Sequence, residues 1–460
     1  MMSSEEKPTH DAVIVGGGLS GLITAYLLRN KNILLLEKEG RFGGRVESEQ
    51  IYELTNNVGT QFFSDEGGSV SRLMDELEIE RVRHKPRHVP YSFHIHGTYY
   101  PTLRSFMSFG VHVDRLKLIA MALPRLLTFM KPADHPKRQE LVGQDIVGLY
   151  DKLRPETKSF VTTYMRGACL AKPERTSAGI GSALMLGVFF LGENSWVTGG
   201  FQQVTDRMAS TLGDKARYSA EVTRVEQLDG LVRVTFVEGG QERVATAPSA
   251  AVTTPASVVP RIVPDLPDAR RDAFERVKYG PLTMVSLVFE REVPWNRFFA
   301  MGSDDTVFQM VIDQTFDTPA DDNPNNPIVY NCIISQYPDE TTEIERFAAM
   351  SDDEIVEQAL ADFTRVVPNA ASAGELLIDT KVTRYPVGEI ELSPEYYTEL
   401  LPHIAKPFGD IHFAGDYTHP MSFVDGAVLS AFATARELGS DLIGPDDDRL
   451  MKLSARLFRR

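Results

Sequence analysis

Ala12-Val13-Ile14-Val15-Gly16-Gly17-Gly18-Leu19-Ser20-Gly21 is an apolar, β-branched run that feeds directly into Gly-x-Gly-x-x-Gly. Such a run reads as the first strand and turn of a dinucleotide-binding βαβ unit. Gly16 permits the tight turn, Gly18 lets the main chain approach a pyrophosphate, and Gly21 lets a helix over 19–29 pack close on the strand. The head of that helix, at Leu19 and Ser20, would face the phosphates with free N–H groups and partial positive charge. Ile33-Leu34-Leu35-Leu36 follows as a second parallel strand closed by Glu37. An acidic residue about 20 positions after the first glycine is where ribose hydroxyls are held, and it disfavours a 2′-phosphate.

At 460 residues the chain exceeds what one core usually supports, so two or three domains and a large buried cofactor are expected. A net charge of −16 argues against a nucleic-acid partner, which needs a basic stripe to displace counterions. Two cysteines, Cys169 and Cys332, form neither a disulfide framework nor a metal-ligand spacing, which points to a reducing, cytoplasmic setting. The N-terminus lacks the basic and apolar regions of a signal peptide. No apolar segment reaches the roughly 20 residues that span a bilayer; Gly179–Leu191 comes nearest. Two segments could lie on a membrane surface instead: Ser105–Lys131, with Arg115, Lys117 and Arg125 among apolar residues, and Arg449–Arg460, where Leu450, Leu453 and Leu457 recur at helical spacing.

Further along come Arg41-Phe42-Gly43-Gly44-Arg45 and Asn56-Asn57-Val58-Gly59-Thr60-Gln61, then a helix over 70–77. From about Tyr91 the pattern changes to a strand pair, 91–96 and 98–100, followed by long helical stretches to about Gly192. Trp196-Val197-Thr198-Gly199-Gly200 opens an amphipathic helix over 201–212. Strands are expected at 221–227, 231–238, 244–254 and 282–289, the last led by the turn Tyr279-Gly280-Pro281. Finally Asp410-Ile411-His412-Phe413-Ala414-Gly415-Asp416 reads as a buried strand, and Val424-Asp425-Gly426-Ala427 opens a helix over 426–438. A second helix N-terminus there could face a group that gains negative charge on reduction.

Together these pieces resemble the flavin-containing amine oxidase superfamily, which includes monoamine oxidases, protoporphyrinogen oxidase and phytoene desaturases. The resemblance rests on Gly16, Gly18 and Gly21; Glu37; Arg41-x-Gly43-Gly44-Arg45; Ala414-Gly415-Asp416; and Gly426-Ala427. It implies FAD, with Gly43, Gly44, Arg45, Gly59, Thr60 and Gln61 on the isoalloxazine side and Val222 meeting the adenine through its main chain. Asp416, with Gly415 and Val424, would attend the ribityl end. The implied fold is α/β: a Rossmann-type FAD-binding domain assembled from 1–90, 196–265 and 405–445. A substrate-binding α+β domain would span 91–195 and 266–404, helical at about 104–192, with a basic amphipathic tail at 446–460. Neither cysteine adjoins the late Ala-Gly-Asp segment, so the FAD is expected to be non-covalent.

One departure matters. Amine-oxidising members of such a family place a lysine on the strand matching 282–289, and here neither face of that strand has one; Met284 is the nearest match. Of the family's flavin-flanking aromatic pair, Phe423 matches one wall and Tyr385 is a candidate second, with Trp196 and Tyr417 weaker ones. His94 and His96 share a strand face, but no third ligand has recognisable spacing, so no metal is expected.

The favoured expectation is therefore an FAD-dependent oxidase or desaturase that removes hydride from an apolar or aromatic substrate to form C=C or C=N, passing electrons to oxygen or another acceptor. No acid pair or triad stands out because the flavin would carry the hard step. The rival, an amine or amino-acid oxidase, would want an aromatic cage or a carboxylate-binding arginine, for which Arg166 and Arg384 are available. A non-redox flavin isomerase or an FAD-binding partner subunit is opposed by the completeness of both ends of the FAD site.

Overall fold

The computed structural model describes residues 7–61, 63–64, 69–84, 90–189, 194–316 and 326–442. The basic tail at 446–460 and the end of Gly179–Leu191 lie outside them.

The apolar runs at Ala12–Val15 and Ile33–Leu36 pair in parallel at the centre of a five-stranded sheet. Its order is Ala216–Arg217, Ile33–Leu36, Ala12–Val15, Ala250–Val252, Ile411–Phe413. Each pair in it is parallel. Both faces are covered, which is why these strands read as continuous apolar runs. Val13, Val15, Leu34 and Leu36 enter one core, and Ala12, Ile14, Ile33 and Leu35 enter the other. Helices Leu19–Leu27, Gln202–Leu212 and Phe423–Glu437 pack on the second face.

A larger, mostly antiparallel sheet of seven strands stands beyond it. Its order is Leu377–Ile390, Tyr279–Phe289, Ile328–Ser335, Met310–Asp313, Ala300–Ser303, Tyr91–Ile95, Thr98–Tyr100. Helices Phe109–Phe129, Pro136–Val142, Pro155–Cys169 and Ala178–Phe189 form the helical part. Among the described residues no helix is long and apolar enough to cross a membrane.

Three local readings change. The strand expected at 244–254 is two: Gln241–Ala247 closes a three-stranded antiparallel sheet, and Ala250–Val252 joins the parallel one. Pro248 lies between them, and proline lacks the N–H that an unbroken ladder would need. Tyr279-Gly280-Pro281 is no turn but the start of strand Tyr279–Phe289, where a register shift between Gly280 and Leu282 accommodates the proline. The late helix begins at Phe423, three residues before Gly426.

Candidate functional site

Backbone geometry at the glycine turn explains its composition. Gly16 has φ +104°, a left-handed value, and a Cβ on Gly21 would sit 1.9 Å from the Gly16 carbonyl oxygen. Gly18 differs, because a Cβ there would meet nothing within 4 Å. Its main chain therefore borders open space at the N-terminus of helix Leu19–Leu27. Gly18 also bridges to Gly43, setting Gly43 and Gly44 beside the turn. Thr253 Oγ1 donates to the carbonyls of Val15 (2.9 Å) and Gly16 (2.8 Å), bracing the loop. Thr254 Oγ1 is buried nearby with no protein partner among the described residues.

Glu37 accepts hydrogen bonds from Gly17 N (2.6 Å) and Glu39 N (2.9 Å), which fixes a carboxylate at the strand end. Ala220 N donates to the Glu37 carbonyl (2.8 Å), so the strand Ala220–Leu228 crosses here and brings Val222 to the same end of the sheet.

The late segment closes on the early one. Ser20 Oγ donates to the Ala427 carbonyl (3.1 Å), tying the first turns of the two helices together, and Gly415 N donates to Ser430 Oγ (3.0 Å). Ser422 and Phe423 enter the helix at φ 50° and 55°, left-handed values that cost non-glycine residues free energy. Val424, Gly426 and Ala427 follow in its first turn. Arg45 forms a two-pronged ion pair with Asp416, at 3.0 and 2.9 Å, and donates to the Gly388 carbonyl. Burial pulls the Arg45 pKa down, and Asp416, with Glu389 and Tyr279, more than reverses this.

Glu389, beside Gly388, was not singled out from sequence. Its Oε2 is buried without a protein partner among the described residues, and burial pushes its carboxyl up to about 7 against the pull of Arg45. Tyr279, whose oxygen accepts from Ala256 N (3.1 Å), is raised by burial in the same surroundings.

Gly59, Thr60 and Gln61 pack against Arg45: a Cβ on Gly59 would be 2.1 Å from the Arg45 carbonyl oxygen, and Thr60 N donates to that oxygen (3.1 Å). Gln61 accepts from Gln314 Nε2 (2.8 Å), and Gln314 accepts from Asn57 N (3.2 Å). Asn331 donates to the Asn57 carbonyl (2.8 Å), and Ser286 donates to Asn331 (2.8 Å). This amide network joins the Arg45 region to the large sheet.

On that sheet Met284, 6 % exposed, packs in a cluster with Trp196, Phe299, Met310, Ile312 and Ile333. The Trp196 and Phe299 rings meet edge to face at 5.5 Å, and Tyr91 meets Phe299 at 5.4 Å. Trp196, a weaker candidate from sequence, reaches this cluster by tertiary packing, because its own strand Asn194–Val197 pairs with Phe63–Ser64 and Arg81–His84 in a separate sheet. No lysine stands on the strand; Lys381, opposite Ser286 on the next strand, pairs with Glu49.

The remaining candidates separate. Tyr385 donates to Glu47 (2.8 Å), which also takes Arg41 (2.5 Å), while Phe423 packs against the largest core. No ring contact joins the two among the described residues. Tyr417 is 1 % exposed and packs on Phe274. Arg166 is committed to Glu340 (2.7 Å) and the Ser335 carbonyl (2.9 Å), and Arg384 to Asp352 and the Met350 carbonyl. Neither arginine is available as an open carboxylate clamp. His96 lies in a left-handed turn at φ 50°, beyond the strand that holds His94. Asp304 and Asp305 approach His94 from the neighbouring strand end, a juxtaposition spacing could not reveal. Both carboxylates already have partners, Asp305 in Arg365 (2.9 Å) and Asp304 in His96 N (3.1 Å). A cavity of about 740 Å³ is lined by Arg138, Tyr397, Leu401 and Leu429, and by Thr418 and Ser430, which bond Gly415 of the late segment.

The sequence matches the family described as flavin containing amine oxidoreductase over residues 19–439. The chain belongs to that family. Flavin amine oxidoreductases similar to it include the flavin-containing amine oxidase of Oncorhynchus mykiss, 23 % identical, covering 94 % of this chain and 86 % of that one. Putrescine oxidase of Kocuria rosea is 25 % identical over 63 % of this chain and 66 % of its own length. Among solved structures, putrescine oxidase bound to putrescine superposes with a TM-score of 0.75 at 19 % identity, covering 93 % of this chain and 98 % of that one. Cyclohexylamine oxidase from Brevibacterium oxydans gives 0.72 at 20 % identity, covering 94 % and 100 %. As a flavin amine oxidoreductase the chain is an FAD-dependent oxidoreductase with a Rossmann-type fold.

Proposed function

We propose that this flavin amine oxidoreductase oxidises a small amine with an apolar or aromatic body to the corresponding imine, with oxygen as acceptor. The reading is supported by one juxtaposition above all: Thr60 bonds the Arg45 carbonyl, Gln314 bonds Gln61, and Gln314 directly follows the strand Met310–Asp313, whose Met310 and Ile312 belong to the Trp196–Met284–Phe299 cluster. A dinucleotide cradle and an apolar, aromatic wall thus share a border. Putrescine and cyclohexylamine oxidases, its structural neighbours, are named for amine substrates.

The residues present fit FAD, since Gly18 borders open space and Thr254 Oγ1 and Glu389 Oε2 are buried without protein partners. In the proposed site the main chain at Gly16, Gly18, Leu19, Ser20 and Gly21 holds the pyrophosphate, Glu37 the ribose, and Val222 the adenine. Gly43, Gly44, Arg45, Gly59, Thr60 and Gln61, together with Gly415, Asp416, Val424, Gly426 and Ala427, would hold the flavin. Bound FAD supplies the hydride acceptor. Helix Phe423–Glu437 presents its positive N-terminus to the end of the group that becomes negative. Trp196, Met284 and Phe299 orient the substrate body and exclude water. The committed state of Arg166 and Arg384 favours a substrate without a carboxylate. On this reading the FAD-binding domain comprises 1–90, 196–265 and 405–445, and the substrate domain 91–195 and 266–404.

Turnover of an amine panel with peroxide release tests the proposal: apolar amines should outpace amino acids. Peroxide from amino acids alone would refute it. The absent lysine on Tyr279–Phe289 favours a second reading, dehydrogenation of a lipophilic C–C bond, in which amines would release no peroxide.

A further inference from the structure

Nine large apolar side chains are exposed among the described residues, and five belong to helix Phe109–Phe129 and its C-cap. They are Phe109 (82 % exposed), Leu116 (63 %), Leu123 (46 %), Leu127 (62 %) and Met130 (38 %). Steps of seven, four and three keep all five within roughly 60° of arc at 100° per residue. Exposed His112 and Ala120 fill the gaps in the stripe. The opposite face, Val111, Leu118, Ala122 and Phe129, is buried, and Phe129 lies against Gly179 of helix Ala178–Phe189. The helix therefore has one partnered face and one continuous apolar face without a partner among the described residues.

Charge indicates what covers that face. Residues 101–131 hold five basic side chains, Arg104, Arg115, Lys117, Arg125 and Lys131, and one acid, Asp114. The Asp114 side chain is fully buried, bound by Lys117 (3.0 Å), Arg154 N (2.8 Å) and Thr157 (2.9 Å). At roughly 100° per residue Arg115 and Lys117 flank the stripe on either side, Arg104 and Lys131 lie just beyond its two ends, and Arg125 falls on the opposite face, so local positive charge borders the stripe on a chain of net charge −16. We propose that this helix docks the protein on an anionic lipid bilayer, with the stripe in the acyl boundary and the basic side chains at the headgroups. A second copy would set basic flank against basic flank, whereas lipid phosphates complement them. The docking is independent of the reaction proposed above.

The test is sedimentation of the full, FAD-loaded chain with phosphatidylcholine vesicles, with and without phosphatidylglycerol. Binding should require phosphatidylglycerol and fall with salt. The triple variant Leu116→Ser/Leu123→Ser/Leu127→Ser should lose it, and Arg104→Gln/Lys131→Gln should weaken it roughly five-fold per charge removed. Because these side chains are exposed, flavin content and thermal unfolding should match the parent in both variants. No binding by the parent, equal binding by the triple variant, or a dimer that the triple variant dissociates without any lipid binding would each overturn the proposal.

Discussion

Glu389→Gln isolates the least conventional feature of the site, a carboxyl buried beside an arginine that is already paired elsewhere. Its pKa rises from the ordinary 4.5 to about 7, chiefly through burial. At about 1.36 kcal/mol per pKa unit that shift corresponds to about 3 kcal/mol in the apoprotein. The sign follows from proton uptake: between pH 4.5 and 7 the native state holds a proton the unfolded chain has lost, so stability falls as pH rises. The loss begins above 4.5 and is complete once pH exceeds the folded value. Glutamine keeps the shape and the neutral charge of the protonated acid. Urea unfolding of apoprotein should therefore find Glu389→Gln equal to the parent near pH 4.5 and more stable by about 2–3 kcal/mol at pH 8. Parallel pH profiles for the two proteins would refute the reasoning.

Other outcomes follow from the same geometry. Gly21→Ala drives a Cβ to 1.9 Å from the Gly16 carbonyl, so the purified protein should retain little FAD and unfold at lower temperature, which absorbance and calorimetry check. Arg45→Ala leaves the Asp416 carboxylate buried without its partner and should cost up to ~3 kcal/mol by urea titration. Arg45→Lys should recover only part of this, since an ammonium cannot make the two-pronged pair. Acid precipitation should release the FAD into the supernatant, whereas yellow pellet would show a covalent link.

Much of this was legible in the sequence because a backbone requirement leaves a local trace. Gly16 must adopt a positive φ and Gly21 must admit a carbonyl, and each demand appears as a glycine at a fixed offset. The Ala12–Val15 and Ile33–Leu36 strands were equally plain, as strands buried on both faces need no alternation. Features assembled from distant segments were not legible. Glu389 owes its raised pKa to burial, with Arg45, 344 positions earlier, opposing the rise and Asp416 adding to it, so nothing beside it in sequence marks it. Trp196 joined Met284 and Phe299 only through tertiary packing. Tyr385 and Phe423 were matched by motif; the hydroxyl of the first bonds Glu47, and the second is partly buried against the largest core, contacts that no local pattern announces. At Pro248 the chain passes from one sheet to another, a change that periodicity alone read as a single strand.

On the proposed reading this site takes hydride from a carbon bearing nitrogen although the strand Tyr279–Phe289 carries Met284 and no lysine. Anaerobic mixing of the FAD-loaded protein with an aryl-alkyl amine, and with the same body bearing a methyl in place of the amino group, tests it in one trace of flavin absorbance. The amine should bleach the flavin, and the hydrocarbon should leave it oxidised. Bleaching by a lipophilic C–H donor, with every amine inert, would contradict it.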